Sequence, residues 1–148
     1  MPRKSSLPPL DRFLTYRLHL VNKLTDKFSS DAYADEFGLP VGEARCLAAI
    51  GNFAPLSVVE LAAKANLNKG QASRAAQALA NRGLVSKDAS ASDGRGVVLA
   101  PTAAGRALWS RVMALIARRN DEIFGCLSAS ERQQLGGMLD RLIVHAKR

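Results

Sequence analysis

Ser73, Arg74, Gln77 and Asn81 stand at spacings that place them on one side of a helix, in the stretch "NKGQASRAAQALANRGLV". Lys69 and Gln71 lie near its start. Such side chains hydrogen-bond base edges and hold phosphates in a major groove. The opposite side is small and apolar: Ala72, Ala75, Ala76 and Leu79 follow the i, i+3, i+4, i+7 pattern of a buried face. Alanines there let the helix lie close against a neighbour. From Leu61 to Lys87 there is no acidic residue and there are five cations, which suits a surface facing phosphates. Taken alone, the polar side also fits a solvated helix face. Lys64, Lys87 and Arg82 are candidates for phosphate contacts. Farther on, Arg95 stands between Gly94 and Gly96. A lone arginine on a glycine-flanked tip fits a minor groove, whose negative potential attracts it; the plain alternative is a polar turn residue.

The surrounding pattern supplies the elements that would position these groups. Ser57 and Glu60 have capping-box spacing, with Leu56 and Leu61 at the positions of a hydrophobic staple. Asn68 and Gln71 form a second box. Only Asn66, Leu67 and Asn68 then separate two helices, the spacing of a helix-turn-helix. Gly83 closes the second helix. Leu84–Lys87 and Val97–Ala100 have strand composition around a Ser/Asp/Gly-rich loop, which predicts a β-hairpin ended by Pro101. Upstream, a helical period begins at Leu10 and runs through Phe28, with the pattern breaking around Tyr33 to Gly38. Its apolar residues cover more than one narrow face, as expected of a helix that packs against a second subunit. Pro40 starts the next helix and Gly51 ends it. Thr102 caps a helix from about Ala103 to Phe124. A third capping box, Ser128 and Glu131, opens the last helix, which carries Gly136 and Gly137 inside it; a close helix contact would explain that pair.

A chain of 148 residues fits one domain of ordinary size. The net charge of +8 favours a polyanionic partner, nucleic acid first and an anionic membrane surface second. Cys46 and Cys126 are too few for a disulfide scaffold, and both read as buried inert thiols. His19 and His145 show no metal-ligand spacing, and no cofactor is expected. No apolar run approaches the roughly 20 residues of a membrane span. The basic start "MPRKSSLPPLDR" has no apolar core region, so a cytoplasmic protein is expected. No phosphate-binding loop, dinucleotide fingerprint or nucleophile–base set is present, so the chain does not read as an enzyme.

The chain resembles the MarR (multiple antibiotic resistance regulator) family of winged helix-turn-helix repressors. The resemblance runs from "LPVGEARCLAAI" through "LSVVELAAKANLNKGQASRAAQALANRGLV" to "SDGRGVVLAPTAAGRAL", and the tail "LSASERQQLGGMLDRL" is similar to the family's final helix. The D-x-R wing motif stands as Asp93-Gly94-Arg95, and the T-x-x-G helix start as Thr102 to Gly105. Pro101 departs from the family's usual leucine before the threonine. The resemblance implies a mainly α fold with a small β-hairpin wing: a winged helix-turn-helix flanked by N- and C-terminal dimerisation helices. The implied organisation is a flexible arm over 1–9, a dimerisation helix over 10–35, a DNA-binding region over 36–102 and dimerisation helices over 103–148. It further implies a homodimer on a pseudo-palindromic double-stranded operator. Asn68, Lys69, Gln71, Ser73, Arg74 and Gln77 match recognition-helix positions, Arg95 the minor-groove arginine and Asp93 the acid that orients it.

The family's response to small aromatic acids has a compatible feature here. Arg12, Tyr16, His19 and Lys23 form one polar stripe on the first helix, which Arg45 could approach. Cations beside a tyrosine suit an aromatic carboxylate; a solvated face is the plain alternative. A thiol switch is the rival, with Cys126, near a helix end, the better candidate. A basic helical adaptor that binds protein or a membrane surface is the alternative of another class.

Overall fold

The computed structural model describes residues 6–89 and 96–148. Six helices and one antiparallel hairpin follow in the order α1 (Leu14–Phe37), α2 (Val41–Phe53), α3 (Val58–Ala65), α4 (Lys69–Asn81), β1 (Val85–Ala89), β2 (Val97–Pro101), α5 (Ala103–Ile123) and α6 (Ala129–Ala146). The fold is thus mainly α with a two-stranded wing. By its contacts the chain divides into residues 1–113 and 114–148, and the division falls inside α5.

In the first unit, α2, α3 and α4 pack against one another, α1 packs on α2, and the hairpin adjoins α4. Leu39, Leu47, Ile50, Leu61, Leu79, Leu99 and Val112 form its fully buried core. Leu56 pairs with Leu99 through two backbone hydrogen bonds, Leu99 N–H to Leu56 O at 2.8 Å and Leu56 N–H to Leu99 O at 3.3 Å. The segment before α3 is thereby pinned to the wing. In the wing itself, Lys87 lies opposite Leu99 and Val85 opposite Pro101.

Three local readings differ from the sequence pattern. Leu10–Arg12 form a 3-10 turn rather than the first turn of α1, because Phe13 is extended (φ −69°, ψ 142°). At the other end α1 does not break near Tyr33. Tyr33 is its one buried residue, and the helix continues to Phe37 before Gly38 turns left-handed at φ 64°. The largest difference is at Gly51, which does not end α2. A Cβ there would overlap the indole of Trp109, whose Nε1–H donates to the Ala48 carbonyl at 3.1 Å. The glycine is thus a notch in the last turn of α2 that seats a tryptophan from α5. Gly51→Ala is expected to lower stability by about 1–3 kcal/mol through overpacking; a urea unfolding curve with an unchanged midpoint would refute the notch.

Trp109 and Gly105 both belong to the first unit, so the start of α5 packs with the winged part of the chain. In the second unit, α6 opens on the capping box, with Ser128 Oγ accepting from Glu131 N–H at 3.1 Å and Glu131 Oε1 from Ser128 N–H at 2.8 Å. These bonds hold the Glu131 carboxyl below the usual carboxylate range. A Cβ at Gly136 or Gly137 would meet nothing within 4 Å, so no close contact within this chain explains the pair. None of the residues of α6 is buried, and Met138, Leu142, Ile143 and Val144 are exposed. On α1, Leu14, Leu18, Leu24 and Phe28 are exposed as well.

Candidate nucleic-acid interface

Helix α4 is built to show one side. Its start is fixed by a closed capping box: Asn68 Oδ1 accepts from Gln71 N–H at 2.8 Å, and Gln71 Oε1 from Asn68 N–H at 3.1 Å. Its end is a Schellman turn, with Leu84 N–H bonded to Leu79 O and Gly83 N–H to Ala80 O, both at 3.0 Å, and Gly83 at φ 75°. The tight turn before it depends on Asn66, left-handed at φ 57°, where asparagine is one of the few tolerated side chains. Ala72, Ala75, Ala76 and Leu79 are buried, and α4 rests on α2 and α3.

The residues singled out by the sequence therefore sort by what they touch. Lys69, Ser73, Arg74 and Gln77 are exposed along the outer side of α4. Arg74 lies back over the first turn: its Nη1 is 3.3 Å from where a Cβ at Gly70 would stand. Glycine at 70 gives that guanidinium room. Asn68 and Gln71 are committed to the helix start, so their oxygens act on the backbone. Gln77 is held from two sides. Lys87 Nζ donates to its Oε1 at 2.7 Å, and its Nε2 donates to Asn81 Oδ1 at 2.9 Å.

All three cations expected on phosphates are engaged by groups the sequence did not show. Arg82 Nε donates to Glu43 Oε1 at 2.9 Å, from the first turn of α2. The acid-free run from Leu61 to Lys87 is thus not free of acid in space. Lys64 Nζ stands 4.5 Å from the Phe53 ring centroid, a cation–π contact that leaves its charge in place. The third, Lys87, is the one bound to Gln77.

Asp93, Gly94 and Arg95 lie outside the described residues; Gly96 immediately precedes β2. The stripe on α1 is not gathered into one site. Tyr16, His19 and Lys23 are exposed on the helix, but Arg12 is in the preceding 3-10 turn. Arg45 instead meets α1 at Asp26, with an N–O distance of 2.8 Å. Asp26 is ten residues past Tyr16 (26 − 16 = 10), or about 15 Å of helix. Among the described residues, no group of three His, Cys, Asp or Glu side chains is placed to hold a metal ion, and no helix is long and apolar enough to cross a membrane.

The two thiols differ, where the sequence read both as buried. Cys46 is fully buried, and burial, with Glu43 adding to it, pushes its thiol up to about 11. Cys126 is exposed in the turn before α6. In native protein at neutral pH, iodoacetamide is expected to modify Cys126 alone, because so little of Cys46 is thiolate. Peptide mass spectrometry finding Cys46 labelled before unfolding would contradict this.

A profile of the MarR family matches residues 37–96, the segment from the end of α1 to the start of β2. No match was found among curated protein sequences. Solved structures are similar over nearly the whole chain. A MarR family protein of Mycobacterium tuberculosis in complex with salicylic acid is 29% identical, with a TM-score of 0.72 over 90% of this chain and 98% of that one. A MarR family transcriptional regulator of Silicibacter pomeroyi is 24% identical, with a TM-score of 0.81 over 99% of this chain and 100% of that one. BpsR of Bordetella bronchiseptica, whose DNA binding is regulated by 6-hydroxynicotinic acid, is 18% identical, with a TM-score of 0.83 over 93% of this chain and 97% of that one.

Proposed function

We propose that the chain is a sequence-specific repressor of the MarR family of winged helix-turn-helix transcription regulators. It reads double-stranded DNA as a homodimer, with α4 in the major groove and Arg95 of the wing in the minor groove. The observation that carries this reading is the two-sided build of α4. Ala72, Ala75, Ala76 and Leu79 are buried, while Lys69, Ser73, Arg74 and Gln77 face outward. A helix braced on small side chains and presenting donors without acids suits a groove lined by acceptors and phosphates. Dimerisation is supported by the apolar side chains that α1 and α6 leave exposed: each would otherwise keep large hydrophobic groups in water. The division of labour follows: residues 10–35 and 103–148 associate, and 36–102 bind DNA.

A small aromatic acid is the effector class this reading favours, since two similar proteins are described with such acids. On this chain Arg45 is the anchor with the best support, because an exposed carboxylate, that of Asp26, already occupies it. A ligand carboxylate would take the place of Asp26. Tyr16 and His19 lie along the same helix and complete the proposed set, at the cost of a ligand long enough, or a shift large enough, to span the separation. Binding would alter the presentation of α4 and lower DNA affinity.

Fluorescence anisotropy tests the reading. Duplex DNA from upstream of the protein's own gene is compared with a shuffled duplex at two salt concentrations. Binding tighter to the native duplex by about 10³-fold or more is expected of a sequence reader. Arg74→Ala should then lose about 1–3 kcal/mol of discrimination at one base pair. Equal, weak and steeply salt-dependent binding to both duplexes, repeated with a pool of random-sequence duplexes, would remove it.

A further inference from the structure

The polar cluster on α4 is not a set of independent side chains. Lys87 has only donors to offer, so the atom of Gln77 that faces it at 2.7 Å is the oxygen. That fixes the amide's orientation, and its Nε2 is turned onto Asn81 Oδ1 at 2.9 Å. The three residues come from two elements, the outer side of α4 and strand β1 of the wing. All three are exposed, so the relay lies on the surface that α4 presents.

The hydrogen-bonding capacity left over is lopsided. Lys87 keeps two N–H groups, Gln77 Nε2 keeps one and Asn81 Nδ2 keeps two. Against these stand one lone pair each on Gln77 Oε1 and Asn81 Oδ1. An unrestrained glutamine pairs bidentately with adenine, accepting from N6–H and donating to N7. Here the oxygen that would accept from adenine is already engaged by an ammonium group, and the groups beside it are donors. Guanine offers acceptors at both O6 and N7 in the major groove.

We propose that Lys87 is a positioning residue which, by holding the Gln77 amide, makes α4 select guanine where glutamine alone would select adenine. This rests on the proposed DNA-reading function and assigns Lys87 to base choice rather than to a phosphate. It also makes the wing strand part of the base-reading apparatus.

Selection from a pool of random-sequence duplexes, followed by sequencing, tests it on the full-length protein and three variants. Wild type should show guanine at one position whose preference disappears in Gln77→Ala. Lys87→Met should lose guanine and gain adenine at that same position, by about tenfold in relative binding. Lys87→Arg, which keeps a donor within reach, should retain guanine. Circular dichroism melting checks that each variant is folded; Lys87→Arg keeps the inference testable should Lys87→Met unfold. A uniform fall in affinity for Lys87→Met, with a shallower salt dependence and unchanged base preferences, would overturn the proposal and make Lys87 a phosphate contact. A wild-type preference for adenine at the Gln77 position would overturn it as well. Failure of the wild type to enrich any sequence would instead remove the DNA-reading function, and this inference with it.

Discussion

Gly105→Ala is expected to destabilise the protein by about 3 kcal/mol, at the upper end of what overpacking costs. A Cβ at 105 would overlap the carbonyl oxygen of Leu84, a backbone atom rather than the end of a flexible side chain. That carbonyl cannot retreat cheaply. It accepts from Thr102 N–H at 3.1 Å, while the Leu84 N–H closes α4 on Leu79 O at 3.0 Å. Thr102 ties the same point again: its hydroxyl donates to Gly83 O at 2.7 Å and accepts from Gly105 N–H at 3.0 Å. Two hydrogen bonds from Thr102 thus fasten the end of α4 to the start of α5, and two more brace the ends they join, all beside one glycine. The added methyl must break some of them or push the two elements apart. Urea unfolding followed by circular dichroism, at fixed protein concentration because association contributes to stability, reads the effect. Gly136→Ala is the control of opposite sign. It sits inside α6 with open space around it, so alanine should stabilise the helix by roughly 0.5–1 kcal/mol. A Gly105→Ala midpoint equal to wild type would mean that Leu84 moves freely and that α4 is not fastened there.

The contrast between glycines shows where sequence reasoning reaches and where it stops. Gly83 was legible because its role is local: it follows a helix whose start and period were both visible. The three capping boxes at Ser57, Asn68 and Ser128 were legible for the same reason, each being a reciprocal pair three residues apart. Gly51 misled because a glycine after an apolar run looks like a helix end, and only the fold brings Trp109 into its notch. Arg82 and Arg45 misled in the same manner. Their carboxylate partners, Glu43 and Asp26, are distant along the chain, and no spacing rule pairs them. The helix-turn-helix and the buried alanine side of α4 were legible from periodicity. The bond between Lys87 and Gln77 was not, since it crosses from a helix to a strand. Cys126 was legible only as the better thiol-switch candidate, near a helix end, because apolar neighbours in sequence do not guarantee burial at a helix junction.

Ala76 and Gln77 are adjacent in sequence, and substitutions there should separate folding from recognition. Ala76 has no exposed surface and lies on the side of α4 that meets α2 and α3. Ala76→Asp would put a carboxylate there with no designed partner, a change that costs about 3–5 kcal/mol when a charge is left buried and uncompensated. Burial would raise the folded-state pKa of that aspartate above its unfolded value of about 3.9. The deficit should therefore be smallest in acid and grow as pH rises through the range between the two values. Gln77→Ala, one residue on, removes an exposed side chain and should change stability by no more than about 0.5 kcal/mol. Its effect should appear in base preference alone. Denaturation curves at two pH values and duplex selection on both variants make the comparison. A stable Ala76→Asp protein would mean that α4 is not seated on its alanines, and the argument from a braced helix to a presented surface would lose its first step. A Gln77→Ala protein with wild-type base preferences would leave the brace intact and remove Gln77 from the reading surface. The two outcomes are independent, because one concerns what holds α4 and the other what α4 holds out.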